Sequence, residues 1–107
     1  MNQVIITYCT CPDQATAEKI ARLLVESSLA ACVNILPNLT SVYSWNGQIE
    51  SAEEHLLMIK SPQAAYKAIE TAIRSQHSYE LPEIIAVPVV QGLPEYINWI
   101  HSCHVSE

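Results

Sequence analysis

The chain switches between two hydrophobic periods. Residues 3–9 (QVIITYC) are an unbroken apolar and β-branched run, the pattern of a central strand covered on both faces. Pro12 is expected to stop it, and Asp13 stands where a helix N-cap belongs. Ala17, Ile20, Ala21, Leu24 and Val25 then recur at helical spacing to about Ser28. Residues 31–45 (ACVNILPNLTSVYSW) return to strand character, with Val33, Ile35, Leu39, Tyr43 and Trp45 on one parity. Pro37 within them requires a bulge or an edge position. Asn46-Gly47 is a strong hairpin signal, and residues 48–60 supply the returning strand. A two-residue turn there pairs Trp45 with Gln48, Tyr43 with Glu50 and Ile35 with Met58.

Further on, Ser61-Pro62 reads as an N-cap followed by proline at the first helical position, and Ala65, Ile69, Ala72 and Ile73 carry a helix to about Gln76. Residues 77–83 (HSYELPE) break the period, residues 84–90 (IIAVPVV) read as a buried strand, and Gly92 turns the chain. Pro94 opens a last helix with Tyr96, Ile97 and Ile100 on one face. The predicted order is β-α-β-β-α-β-α: an α+β chain with the ferredoxin-like split βαβ and one added helix, forming a single domain over residues 1–107.

The hairpin is long for its body. An arm of about 13 residues reaches about 43 Å, whereas a compact chain of this size is only about 34 Å across. Its tip is expected to project, and the free edges of a projecting ribbon invite pairing with neighbouring subunits.

Composition narrows the function classes. With 107 residues, 50% hydrophobic and 15% charged, the chain has the make-up of one folded unit and not of a disordered segment. Eleven acidic against five basic residues give a net charge of -6, and the basic residues are scattered, so no phosphate-tracking surface for nucleic acid is expected. No apolar run approaches the length of a membrane span, and the N-terminus lacks a basic leader, so the expected compartment is the cytoplasm. There the four cysteines read as thiols. Cys9 and Cys11 fall on one face of an extended strand, a spacing better suited to a soft metal than to zinc's usual loop.

Several motifs in order make the chain recognisable. CTCPD (9–13), AEKIARLLVE (17–26), LAACVNILP (29–37), SVYSWNGQIE (41–50), EHLLMIK (54–60), HSYELPEI (77–84) and the closing GLPEYINWI resemble the CutA divalent-cation-tolerance family. The resemblance implies a homotrimer of ferredoxin-like subunits with PII-like architecture, joined by sheet edges and long hairpins. It implies a non-enzymatic role in the response to metal ions and binding of copper, as Cu(II) or Cu(I), or of another divalent cation, with no organic cofactor. By motif, the implied copper ligands are Cys9 and His77. The chain departs from the family at Gln76, where a second histidine sometimes stands, at Ser78 in place of proline, at His55 in place of an apolar residue, and at Leu93, which offers the last helix no side-chain cap.

The residues themselves keep alternatives open. Cys9 and His77 also fit a small core thiol and a histidine at a helix C-terminus. Cys11, beside Pro12, is expected to be an exposed loop thiol, Cys32 to be packed inside, and His101, Cys103 and His104 to form a terminal cluster with only adventitious affinity. Trp45, Glu54, Lys60, Tyr79 and Glu80 are grouped as a possible cleft at a subunit junction, able to take a metabolite or anion or simply to fix subunit register. The classes that compete with metal tolerance are thus a PII-like ligand-sensing trimer and a protein-binding scaffold. No phosphate loop, nucleophile elbow or H-E-x-x-H motif is present, so no catalytic template is expected.

Overall fold

The structure, a computed structural model, describes residues 3–104. The expected domain span of 1–107 therefore includes five residues, 1–2 and 105–107, outside the described part. The first strand, β1 (Val4–Cys11), lies inside a four-stranded sheet of order β2 (Cys32–Trp45), β3 (Gln48–Pro62), β1 and β4 (Ile85–Pro88), antiparallel to both neighbours. It ends just before Pro12, as expected, two residues beyond the apolar run, because Thr10 and Cys11 continue the ladder by pairing with Leu56 and His55. The helix α1 (Gln14–Glu26) begins as expected, with the Asp13 carboxylate accepting from the Thr16 N–H at 2.8 Å. That bond holds the Asp13 carboxyl below the usual carboxylate range. Ala17, Ile20, Ala21 and Leu24 form the buried face of α1.

Strands β2 (Cys32–Trp45) and β3 (Gln48–Pro62) make the long hairpin. Asn46 and Gly47 both take positive φ, 51° and 77°, the geometry a twisted two-residue hairpin turn requires. Trp45 pairs with Gln48 and Tyr43 with Glu50, as expected. Ile35 does not meet Met58: it pairs with Leu57, because a bulge between Leu36 and Leu39 inserts one residue into β2, with Asn38 at φ 60°. The arm sets the shape, with extents of 44 × 26 × 21 Å.

The second helix also departs from expectation. Ser61-Pro62 does not cap it: both residues finish β3, opposite Ile5 and Val4, and the buried Ser61 hydroxyl donates to the Pro62 carbonyl at 2.9 Å. A 3-10 turn (Gln63–Ala65) follows, and α2 (Tyr66–Gln76) begins five residues after Ser61. Strand β4 (Ile85–Pro88) is shorter than the expected 84–90 and is exposed along its length at the sheet edge. The last helix, α3 (Pro94–Ser102), starts at Pro94 with no side-chain cap from Leu93. Gly92 precedes it in close contact with α3: a Cβ there would stand 2.7 Å from Ile97 Cδ1, so the Ile97 side chain would have to shift.

Strand alternation divides the interior. Cys9, Cys11, Leu57 and Ile59 pack with Ile20 and Leu24 of α1 and Ile69 and Ile73 of α2. On the opposite parity, Val4 packs with Ala31 and Ile100 of α3. Among the described residues no helix is long and apolar enough to cross a membrane. The result is a ferredoxin-like α+β fold with one added helix.

Candidate metal centre and adjoining cleft

Cys9 and Cys11 sit two apart on β1, so the pleat turns both side chains toward the helices. Both are fully buried. The expectation of an exposed Cys11 is overturned: β1 does not fray before Pro12, and Cys11 is enclosed with the core around α1 and α2. His77 comes from the other side. As the C-cap of α2 it adopts extended backbone, φ -91° and ψ 144°, which stops the helix. Its ring then reaches β1, with Nε2 at 2.7 Å from the Thr10 carbonyl oxygen, the carbonyl between the two cysteines.

These contacts define the state of the imidazole. A carbonyl oxygen only accepts, so Nε2 carries the proton; the Tyr79 N–H donates to Nδ1 at 3.1 Å, which makes Nδ1 the acceptor. The His77 and Tyr79 rings pack with centroids 4.6 Å apart. One ligand atom from each of Cys9, Cys11 and His77 lies within 4.8 Å of the other two. A hydrogen bond shared with Cys11, reinforced by burial, pushes the Cys9 thiol up, and the same bond holds Cys11 below the ordinary thiol value. Two sulfurs and one imidazole nitrogen are a soft donor set, fitted to thiophilic metals and poorly fitted to magnesium or calcium.

A cleft of about 720 Å³ adjoins this cluster through Thr10 and Tyr79, and Trp45, Glu54 and Glu80 also line it. Glu54 is only 6% exposed, and its carboxylate accepts a 2.6 Å hydrogen bond from the Tyr79 hydroxyl. Burial, followed by this carboxylate, pushes the Tyr79 phenol well above its ordinary value. Lys60 does not join the cleft within one chain. It shares strand parity with Glu54 but stands six residues away, about 20 Å along β3. Its Nζ lies 3.3 Å from the Tyr96 hydroxyl and 5.5 Å from the centre of that ring. The lining includes Glu54, Glu80 and Glu83 and no lysine or arginine among the described residues, so one chain alone offers no cationic group for an anion.

The remaining candidates fall elsewhere. Cys32 is half-buried, with its sulfur 3.9 Å from Asn34 Oδ1, where full packing was expected. Cys103 packs on the Val4–Ile100 cluster, and the only three-residue donor cluster among the described residues is the one built on Cys9, Cys11 and His77. His55 pairs with Cys11 across the β1–β3 ladder, and its shielded Nδ1 has no hydrogen-bond partner. The family motif does not include Cys11 as a ligand; the parity it shares with Cys9, read from the sequence, was the signal that pointed to it.

Fold and site together define a ferredoxin-like α+β protein carrying a soft-donor cluster between its sheet and the end of its second helix. Residues 5–103 match the family model described as CutA1 divalent ion tolerance protein, and the chain belongs to that family. It is 47% identical over 98 residues to protein CutA of Mus musculus, covering 92% of this chain but spanning only 55% of the mouse protein. It is 40% identical over 100 residues to the divalent-cation tolerance protein CutA of Thermus thermophilus, covering 94% of this chain and 95% of that protein. The crystal structure of CutA1 from Oryza sativa superposes with a TM-score of 0.95 at 32% identity, covering 99% of this chain and 97% of that one.

Proposed function

We propose that the chain serves tolerance of divalent cations as a non-enzymatic, cytoplasmic homotrimer, and that it binds copper through Cys9 and His77. The convergence of Cys9, Cys11 and His77 within 4.8 Å, in a member of the CutA1 family, carries this reading. Affinity at nitrogen and sulfur sites peaks at copper among the divalent first-row ions. Self-association is supported by apolar side chains that one chain leaves uncovered, including Val42 at 70%, Ile49 at 78% and Val90 at 84% exposure. The cysteines are free, as suits a reducing compartment.

Thermal denaturation with a metal panel tests the copper assignment. A saturable shift with copper is expected, and it should vanish in the Cys9→Ser/His77→Ala double variant; a shift that survives there overturns it. Light scattering at micromolar concentration is expected to return the mass of three chains, and a one-chain mass overturns the trimer.

The cleft supports a second reading, a PII-like trimer that senses a small molecule. Its volume of about 720 Å³ lies in the range of small-ligand pockets. A metabolite-induced thermal shift that is unchanged by the double variant favours this reading over metal binding. With no shift from either class, capture of a protein partner is the remaining expectation, that of a scaffold.

A further inference from the structure

We propose that Cys11 is the third ligand of the centre, and that Cys9, Cys11 and His77 form a three-coordinate site for a monovalent thiophilic cation, Cu(I), in preference to the divalent ions. The inference rests on the metal-binding reading above and adds to it a ligand, a coordination number and an oxidation state.

Donor type comes first. Two sulfurs and one imidazole nitrogen match the soft cations of the first transition row. Coordination number comes second. Metal–sulfur bonds of about 2.3 Å place the donors of a trigonal site about 4 Å apart. Since the three donor atoms already lie within 4.8 Å of one another, small side-chain rotations close the set. Zinc takes four ligands in its structural sites and draws paired cysteines from a short loop, with two to four residues between them. Here one residue separates the cysteines, both are on a strand, and both are fully buried. A tetrahedral ion would need a fourth donor, and the nearest by register is His55, which is not one of the three converging residues.

The bonds around His77 supply an independent signature. Its ring has one free lone pair, at Nδ1, and the Tyr79 N–H occupies it. Ligation through Nδ1 displaces that amide directly. Ligation through Nε2 moves the ring proton to Nδ1 and turns the acceptor into a donor. By either route the Tyr79 amide loses its partner.

The test titrates Cu(I) under anaerobic, reducing conditions against a colorimetric Cu(I) chelator. One Cu(I) per chain is expected for the unmodified protein. Cys11→Ser should weaken binding by about 100-fold, at least the loss seen when outer-shell partners are removed, and Cys11→Ala, which keeps the apolar packing, should do the same with an unaltered circular dichroism spectrum. Cys32→Ser should change nothing. Hydrogen exchange at the Tyr79 amide should accelerate on loading. Unchanged affinity in folded Cys11→Ala, with loss in Cys9→Ser, overturns the third ligand but keeps the copper reading. Unchanged affinity in Cys9→Ser, Cys11→Ala and His77→Ala alike overturns both. Displacement of Cu(I) by equimolar Zn(II), in a manner that depends on His55, overturns the three-coordinate assignment, and an unchanged Tyr79 amide overturns the role of His77.

Discussion

Ile59 and Ile49 are the same residue type on the same strand, with the same parity and about 33 Å apart along β3. Ile59 is fully buried and Ile49 is 78% exposed. Local pattern treats them alike; the difference is what lies above the sheet. At the base, α1 and α2 cover the row that includes Ile59, Leu57, Cys9 and Cys11. Toward the tip the ribbon outruns both helices, and its apolar side chains, Val42 and Ile49 among them, are left exposed. Parity decides which face a side chain takes, and the body of the fold decides whether that face is an interior.

The largest expected effect breaks this contrast at its buried end. Ile59→Ala should destabilise the protein by about 3 kcal/mol in denaturant unfolding, independently of protein concentration, because the site is too tightly packed to collapse fully. Ile49→Asp should instead produce a loss of mass on dilution, since the side chain it replaces has little cover within its own chain. If the two variants behaved alike at every concentration, the contrast would fail.

Next in size is the junction between arm and base. Tyr79→Phe leaves the nearly buried Glu54 carboxylate without its 2.6 Å donor, and about 2 kcal/mol of stability should be lost. Glu54→Gln in the Tyr79→Phe background should recover part of it by removing the charge. At the tip, Gly47→Ala should destabilise by about 1 kcal/mol through the backbone alone, because φ is 77° and a Cβ there meets nothing within 4 Å.

The smallest effect is a titration at the base. Burial, followed by the Glu70 carboxylate, pushes the Tyr66 phenol up. A raised folded-state value favours the neutral form, so this contribution to stability is fully present below about pH 10, the ordinary tyrosine value, and is lost as pH rises through the folded-state value. Tyr66→Phe should remove one late step from the ultraviolet tyrosinate titration; loss of an early step would contradict the burial.

Legibility followed the range of the forces involved. The Asp13 cap, the α1 face and the Asn46-Gly47 turn each depend on a few consecutive residues, and each was readable from them. Ser61-Pro62 misled because it carries a local helix signal, while the ladder to Ile5 and Val4 on a distant strand holds it extended. The register at Ile35 slipped because Pro37 announces a bulge without saying how many residues it inserts. Of the candidate centre, Cys9 and His77 were visible as motif residues. The burial of Cys11 was not, since it depends on pairing with His55 in β3. Glu54 and Lys60 were grouped as a carboxylate and a lysine of one junction cleft, and within a single chain the length of β3 keeps them apart.

What followed from the chain alone was its order of elements, its turn, the faces of its strands and helices, and the placing of two thiols side by side. These are short-range consequences of backbone geometry and side-chain period. Only the tertiary structure decided that the end of α2 brings His77 onto the Thr10 carbonyl, within 4.8 Å of those thiols, that Cys11 is inside, and that one end of the hairpin has a core while the other does not. Convergence and burial are set by segments tens of residues apart packing together, and periodicity along one strand carries no record of which helix will cover it.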